Sequence, residues 1–216
     1  MLEPCHLLLV RHGQTAWNVD GRMQGHLDIP LDAVGRAQAL AVAQALADEP
    51  VAAVVSSDLL RARHTADAIA ATHGLPVLNE PLLRERHFGV YQGLLWEEVQ
   101  ARWPQDAQRW SHRDPDFAPE GGESLTQFSQ RCVEAVTRHA QAWPGRTLVL
   151  ATHGGVLDCL YRAATGQSLQ APRSWMLGNT AVNRLLWNGE GLSLVGWNDT
   201  RHLETAGAAL DDKQQA

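Results

Sequence analysis

Lysine is almost absent from this chain of 216 residues: Lys213 is the only one, and arginine supplies every other fixed positive side chain. Any anion site must therefore be built from arginine, histidine and backbone N–H groups. Acidic residues outnumber basic ones, and the net charge is −6. An acidic chain is a poor general binder of nucleic acid, so we expect no nucleic-acid partner.

Cysteine is scarce: the three cysteines are Cys5, Cys132 and Cys159, and no two of them form a CxxC motif. Their odd number and wide spacing argue against a disulfide or zinc framework and favour reduced thiols. The sequence also lacks an apolar run of about 18 residues and a basic segment ahead of its first apolar run. We therefore expect a cytoplasmic protein with no membrane partner and no signal peptide.

The balance of 44% hydrophobic and 19% charged residues is typical of a globular chain and excludes a disordered one. The length favours one domain, which we place at residues 1–204, followed by a flexible tail at 205–216.

Short apolar runs alternate with segments of helical spacing. The predicted strands are 5–10, 51–55, 76–78 and 147–151, followed by a closing hairpin of 181–187 and 192–197. Helices are predicted at 32–48, at 94–103, where Pro104 stops the helix, and at 156–164. A further helix has its N-cap within 56–58 and ends near Thr72, and another begins with a Ser124–Gln127 capping box. A polar loop is expected at 13–30. This alternation predicts an α/β three-layer sandwich, with a mostly parallel central sheet flanked by helices.

Three predicted strand ends carry residues suited to phosphate chemistry. The first strand leads into Arg11 and His12, the second into a helix containing Arg61, and the strand at 147–151 into His153. Ligands of such sheets bind beyond the carboxyl ends of the strands. Guanidinium groups match a phosphoryl group, and imidazole is a nucleophile near neutral pH. These positions predict phosphoryl transfer through a phosphohistidine.

Residues 10–18, Val-Arg-His-Gly-Gln-Thr-Ala-Trp-Asn, closely resemble the signature of the histidine phosphatase superfamily, which includes the phosphoglycerate mutases. The resemblance continues in family order through residues 25–31, 35–39, 56–66, 83–89, 121–124 and 152–155. It implies a helical cap inserted at about 92–122.

The resemblance also implies a role for each matched residue. His12 is the nucleophile, and Arg11, Arg61 and a cationic His153 complete the phosphate pocket. Glu85 is the proton donor. Asn18, Gln24 and Gly25 match loop positions that line the pocket, and Arg86 and Gly154 complete the predicted substrate-binding set; for Arg86 the alternative is a surface ion pair. Arg86 is assigned there because it follows Glu85 and can reach a second anionic group on the substrate.

Several alternatives stay open at this stage. Glu85 is either the proton donor or a surface carboxylate paired with Arg84 or Arg86. The cap aromatics form either an apolar wall of the pocket or the packing between helices; they are Trp96, Trp103, Trp110 and Phe117. Arg109 and Arg113 either reach an anionic substrate or play no part in binding.

The ten histidines are scattered without metal-ligand spacing, so we expect no metal and no cofactor. The predicted function is a metal-independent phosphomonoesterase acting on a small phosphorylated metabolite. One alternative is a cofactor-dependent phosphoglycerate mutase, although mutases carry a longer cap and commonly Asn in place of Gly155. The other is a catalytically inactive binding module. A homodimer paired through the edge of the closing hairpin is also possible.

Overall fold

A computed structural model describes residues 3–206, and its centre is a six-stranded sheet. The strands are β1 Cys5–Arg11, β2 Val51–Ser56, β3 Val77–Asn79, β4 Thr147–Thr152, β5 Val182–Trp187 and β6 Leu192–Asp199. Their order across the sheet is β3-β2-β4-β1-β5-β6. The first four strands pair in parallel, and β5 and β6 add an antiparallel edge. The predicted fold class, an α/β sandwich with a mostly parallel sheet, is confirmed.

Helices cover both faces of this sheet. They are α1 Ala16–Asp20, α2 Ala33–Ala45, α3 Leu60–His73, α4 Trp96–Arg102, α5 Pro104–Ser111, α6 Leu125–Ala142, α7 Gly154–Thr165 and α8 Arg201–Ala206. Leu7 and Leu9 point into a core with α6 and α7, whereas Leu8 and Val10 point into a core with α2 and α3. The central parts of β1, β2 and β4 are continuously apolar because both of their faces are buried.

The register places the carboxyl ends of three strands together. Arg11 of β1 pairs with Thr152 of β4, and Ser56 of β2 pairs with Ala151. The residues that follow these strand ends therefore meet at one edge of the sheet, where the candidate site lies.

Two helix starts next to the site differ from the prediction. The N-cap of α3 is Leu59, not a residue of 56–58, and the Asp28 side chain accepts the Leu60 N–H instead at 2.6 Å. Helix α7 begins at Gly154 rather than at residue 156, directly after His153. In both places the helix N-terminus is fixed by contacts with the site rather than by a local capping residue.

Three helices were not predicted: α1, α5 and α8. The segment 13–30, expected to be a loop, contains α1, which begins with a capping box between Thr15 and Asn18. Pro104, expected only to end a helix, is the first residue of α5. A proline is favourable at this position because its missing N–H would have no partner inside the helix.

Helices α4 and α5 lie within the predicted cap and have an apolar cluster of their own. Tyr91, Val99 and Phe117 are buried in this cluster, and Trp96, Trp103 and Trp110 pack against it. Of the two alternatives for the cap aromatics, the structure therefore shows packing between helices. Arg109 pairs with Asp114 and lies over the ring of Phe117.

Within residues 3–206, no helix combines the length and the apolar character that crossing a membrane requires. All three cysteines are buried and free. Helix α8 includes residues 205 and 206 of the predicted tail, and 207–216 lie outside the described residues. The domain bounds 1–204 stay a prediction.

Candidate active site

The structure brings Arg11, His12, Arg61 and His153 together at the carboxyl edge of the sheet. The His12 N–H donates to the Thr152 carbonyl at 2.9 Å, which continues the β1–β4 ladder into the site. The ring centroids of His12 and His153 are 5.2 Å apart. Arg61 lies in the first turn of α3 and is 1% exposed. All four side chains predicted to form a phosphate pocket therefore share one site.

His12 is held with one ring nitrogen available for chemistry. Its Nδ1 is 2.7 Å from the Gly13 carbonyl oxygen and donates to it, so the lone pair of the neutral ring is on Nε2. Burial, followed by the charges of Arg61 and Arg11, lowers the pKa of His12 well below its usual value. The ring is therefore a neutral nucleophile at neutral pH.

Arg61 is fixed by backbone carbonyls rather than by a carboxylate. Its guanidinium donates to Leu27 O at 2.9 Å and to Gly25 O at 2.7 Å, while its buried Nε has no hydrogen-bond partner. Burial lowers the pKa of Arg61 to about 10, so the group stays charged at neutral pH. A buried cation without a paired carboxylate is costly unless an anion binds it.

His153 lies beside Arg61 and completes the pocket. Its Nε2 is 2.9 Å from Ser57 Oγ, and its Nδ1 is buried without a partner. Burial and the nearby Arg61 charge lower the pKa of His153 well below its usual value. A positive charge on this buried ring would face the Arg61 charge, so the cationic role expected of His153 during phosphoryl transfer requires a bound anion and stays a prediction.

The loop at residues 24–28 lines the pocket and orients Arg61. Gln24 is buried, and its Oε1 has no partner. Gly25 has a positive φ of 54°, and a Cβ there would lie 2.3 Å from Gln92 Oε1. Asn18 Oδ1 accepts the Thr15 N–H at 3.0 Å and so helps to begin α1. Substrate contacts by Asn18, Gln24 and Gly25 stay predictions.

Glu85 is half-buried, and backbone N–H groups hold it. Its two carboxylate oxygens accept from Arg86 N at 2.8 Å and from Gly155 N at 3.0 Å. Arg84 forms a bidentate pair with Asp58 instead, at 2.7 and 2.5 Å. The alternative in which Glu85 pairs with Arg84 or Arg86 is therefore wrong.

Arg86 ties the Glu85 loop to the cap. Its guanidinium donates to Phe117 O at 2.8 Å and to Glu123 O at 2.9 Å, and it lies 4.3 Å from the centre of the Trp110 ring. These contacts give Arg86 a structural role, and its predicted substrate contact is not tested by them. A Cβ at Gly154 would lie 3.5 Å from Arg11 Nε, so this glycine borders the pocket.

Three residues that support the site were missed as site residues, although two of them, Ser57 and Thr65, lie within the matched segment 56–66. Asn179 Nδ2 donates to the His12 carbonyl at 2.8 Å, and Thr65 Oγ1 accepts the Gly13 N–H at 3.1 Å. Ser57, considered only as a possible N-cap, contacts His153. Their signal in the sequence is weak, because each contact joins residues far apart in the chain.

Within residues 3–206, no group of three or more His, Cys, Asp or Glu side chains is placed to hold a metal ion. What the site offers is a neutral imidazole, buried guanidinium groups and a carboxylate held by N–H groups. On the carboxyl edge of a parallel sheet, this set has the chemistry that phosphoryl transfer requires.

The family model of the histidine phosphatase superfamily (branch 1) matches residues 7–200. The chain belongs to this superfamily, and it is a phosphoric monoester hydrolase of the histidine phosphatase type.

Two curated relatives come from Arabidopsis thaliana. Phosphoglycerate mutase-like protein 4 is 40% identical over 95% of this chain and 90% of its own length. A metal-independent phosphoserine phosphatase is 39% identical over 95% of this chain and 86% of its own length. Among solved structures, mycobacterial glucosyl-3-phosphoglycerate phosphatase superposes with a TM-score of 0.82 at 34% identity, covering 92% of this chain and 100% of that one.

Proposed function

We propose that this protein is a metal-independent phosphomonoesterase acting on a small phosphorylated metabolite through a phosphohistidine on His12. The observation that carries the proposal is a neutral His12, oriented by the Gly13 carbonyl and placed beside His153 and Arg61. Relatives named as phosphatases of phosphoserine and of glucosyl-3-phosphoglycerate support a small phosphate ester as the partner. The free cysteines fit a cytoplasmic location.

In the first step, His12 Nε2 attacks phosphorus, the N–P bond forms, and the bond to the leaving oxygen breaks. Arg11 and Arg61 stabilise the charge on the phosphoryl oxygens, and the unpartnered Nδ1 of His153 points to a further hydrogen bond with them. Glu85 gives its proton to the leaving alkoxide. In the second step, Glu85 takes a proton from water, which attacks phosphorus and releases phosphate and His12.

A hydrolase is favoured over the two alternatives. Glu85, His12 and Arg61 all occupy one site, which argues against an inactive binding module. A mutase must keep water from its phosphohistidine while the intermediate reorients, and the half-buried Glu85 remains open to solvent in part. Isomerisation of 3-phosphoglycerate in the presence of 2,3-bisphosphoglycerate is the assay that detects mutase activity.

The test is His12→Ala, with His6→Ala as the matched control because His6 is an exposed residue of β1, the strand that leads into His12. We expect His12→Ala to lose turnover of p-nitrophenyl phosphate and the acid-labile phosphoenzyme trapped by rapid quenching. His6→Ala should retain both, in buffer with or without EDTA. An acid-labile phosphoenzyme in His12→Ala, or activity that EDTA removes and added Mg²⁺ or Zn²⁺ restores, contradicts the proposal.

A further inference from the structure

Two histidine rings meet in the phosphate pocket, and each leaves a different nitrogen for a ligand. Their ring centroids are 5.2 Å apart. His12 uses Nδ1 to donate to the Gly13 carbonyl, which leaves the Nε2 lone pair for attack on phosphorus. His153 uses Nε2 for its contact with Ser57 Oγ at 2.9 Å, which leaves Nδ1 buried without a partner. A nucleophile needs a lone pair, whereas a ring that binds phosphoryl oxygens needs an N–H.

A neutral imidazole carries one proton, and its position decides whether His153 can bind an anion. With the proton on Nδ1, the ring donates a hydrogen bond to a phosphoryl oxygen. With the proton on Nε2, the Nδ1 lone pair repels that oxygen. A doubly protonated ring would also donate, but burial and the Arg61 charge lower the pKa of His153 well below its usual value. Before an anion binds, the partner of Nε2 therefore determines the tautomer.

The Ser57 hydroxyl is that partner, and its surroundings determine the direction of the hydrogen bond. A hydroxyl donates one proton and can accept others. Ser57 Oγ accepts the Leu59 N–H at 3.4 Å, and within residues 3–206 its one other hydrogen-bond contact is His153 Nε2. If His153 donated from Nε2, two N–H groups would point at Oγ and the hydroxyl proton would have no acceptor. An unsatisfied buried donor is costly, so the hydroxyl donates to Nε2.

Backbone ladders fix this contact from both sides. The Ser57 N–H donates to the Ala151 carbonyl at 3.0 Å, which extends the pairing of β2 with β4 by one residue. His153 lies two residues after Ala151 and is the N-cap of α7. Both side chains are 0% exposed, so water does not compete for their hydrogen bond. The strand ends, rather than a loop, therefore hold the hydroxyl against the ring.

We infer that Ser57 is a positioning residue, whose hydroxyl donates to His153 Nε2 and holds His153 as the Nδ1–H tautomer that binds a phosphoryl oxygen. The inference rests on the proposed phosphatase reaction and adds a residue that acts through His153. No proton changes place in this arrangement. A neutral ring in this tautomer donates to an incoming anion without first adding a positive charge beside Arg61.

NMR of the whole protein labelled with ¹⁵N-histidine measures the tautomer directly. Long-range ¹H–¹⁵N correlations distinguish a protonated ring nitrogen from a bare one, and the signals lost in His153→Asn assign this ring. At pH 7 without an anion, we expect a proton on Nδ1 and a bare Nε2. A proton on Nε2, alone or together with one on Nδ1, overturns the inference. This measurement needs no turnover, whereas hydrolysis of p-nitrophenyl phosphate by the wild type tests the proposed function.

Ser57→Ala removes the donor, so the His153 ring should no longer hold a single tautomer. We expect the Kd of orthovanadate, measured by calorimetry, to rise about tenfold, as for the loss of one hydrogen bond to a charged ligand. Ser57→Thr keeps the hydroxyl and should retain the Nδ1–H tautomer and most of the affinity. Ser56→Ala is the matched control, because Ser56 is equally buried and its hydroxyl donates to the Ser57 carbonyl instead.

A role of Ser57 in packing alone would give a different result. Ser57→Ala would then lower Tm, while His153 kept its Nδ1–H tautomer and orthovanadate bound as in the wild type. That outcome, or an equal loss of affinity in Ser56→Ala, overturns the inference. If the added methyl group of Ser57→Thr prevents folding, the wild-type spectrum and Ser57→Ala carry the test.

Discussion

At the scale of single residues, Glu85 shows how backbone groups place a reactive side chain. Its two oxygens accept N–H bonds from Arg86 and Gly155, so the carboxylate position depends on the start of α7 and on its own loop. These two contacts fix the position of the carboxyl group beside the pocket.

Glu85→Gln keeps the size of the side chain and removes its ability to donate a proton to the leaving oxygen. We expect the phosphorylation step to fall by about 10²–10⁴-fold on alkyl phosphates and far less on p-nitrophenyl phosphate, whose leaving group needs no proton. Pre-steady-state measurement of phosphoenzyme formation checks this. Glu97→Gln, at an exposed residue of α4, is the control. An equal loss for both leaving groups would mean that Glu85 is not the proton donor.

Gly155→Ala tests the other side of the same contact. A Cβ at this position would lie 2.2 Å from Glu85 Oε1 and 3.0 Å from Phe128, so the carboxylate has to move. We expect turnover of alkyl phosphates to fall more than that of p-nitrophenyl phosphate, and stability to fall by about 1–3 kcal/mol. Gly191→Ala is the control, because open space surrounds that glycine. Unchanged kinetics in Gly155→Ala would show that the position of Glu85 is not critical.

The residues predictable from the sequence were those with a motif. His12, Arg61 and His153 each follow a recognisable strand or open a helix, so their convergence was predictable on the condition that the three strands are neighbours, as the sheet order shows. Asn179 was not predictable, because its contact with the His12 carbonyl depends on where the chain returns after α7. The lowered pKa of His153 was not predictable from the sequence, because the depth of its burial beside Arg61 is a property of the folded protein.

At the scale of secondary-structure elements, local sequence patterns predicted an element correctly where a single physical rule determined it. The central strands were predictable because burial on both faces leaves continuous apolar runs. Helix α6 was predictable because the residues of its capping box, Ser124 and Gln127, have the required spacing in the sequence. Helix α5 was missed because Pro104 was interpreted only as a stop, although it also begins a helix. The first turn of α7 was missed because two glycines are poor helix formers, and here the contact with Glu85 requires glycine at 155.

The capping box of α6 gives a prediction about stability. Ser124 Oγ accepts the Gln127 N–H at 3.1 Å, and Gln127 Oε1 accepts the Ser124 N–H at 2.9 Å. We expect Ser124→Ala to cost about 1 kcal/mol and to lower Tm by roughly 2–4 °C in thermal unfolding. Ser129→Ala, inside the same helix, should cost nothing measurable because alanine is the better helix former. Equal effects of the two substitutions would argue that the cap adds no stability.

At the scale of the whole molecule, folding depends on keeping histidines uncharged. Burial is the main cause that lowers the pKa of His12, His26, His153 and His202. The unfolded chain therefore binds more protons than the folded protein once the pH falls below about 6.5. The stability from these neutral rings is fully present above that pH and is lost as the pH falls toward their folded pKa values. The pKa values of Asp58, Glu80 and Glu123 are lowered by arginine pairs or N–H bonds, so their contribution is lost at a lower pH.

We therefore expect Tm to fall between pH 7 and pH 5.5, before the carboxylates titrate, and an anion in the pocket should offset part of this loss. Sulfate is suitable because it stays a dianion over this range and resembles phosphate. Sulfate at about 100 times its Kd stabilises the folded protein by about 2.7 kcal/mol. We expect the Kd of sulfate to be smaller at pH 5.5, because the bound dianion favours a protonated His153 beside Arg61. Thermal unfolding against sulfate concentration at both pH values measures this. Arg61→Gln separates pocket binding from the general effect of salt, because the general effect persists in that variant. A sulfate-induced rise in Tm that is equal in the wild type and Arg61→Gln would show that the anion does not bind at His12, Arg61 and His153.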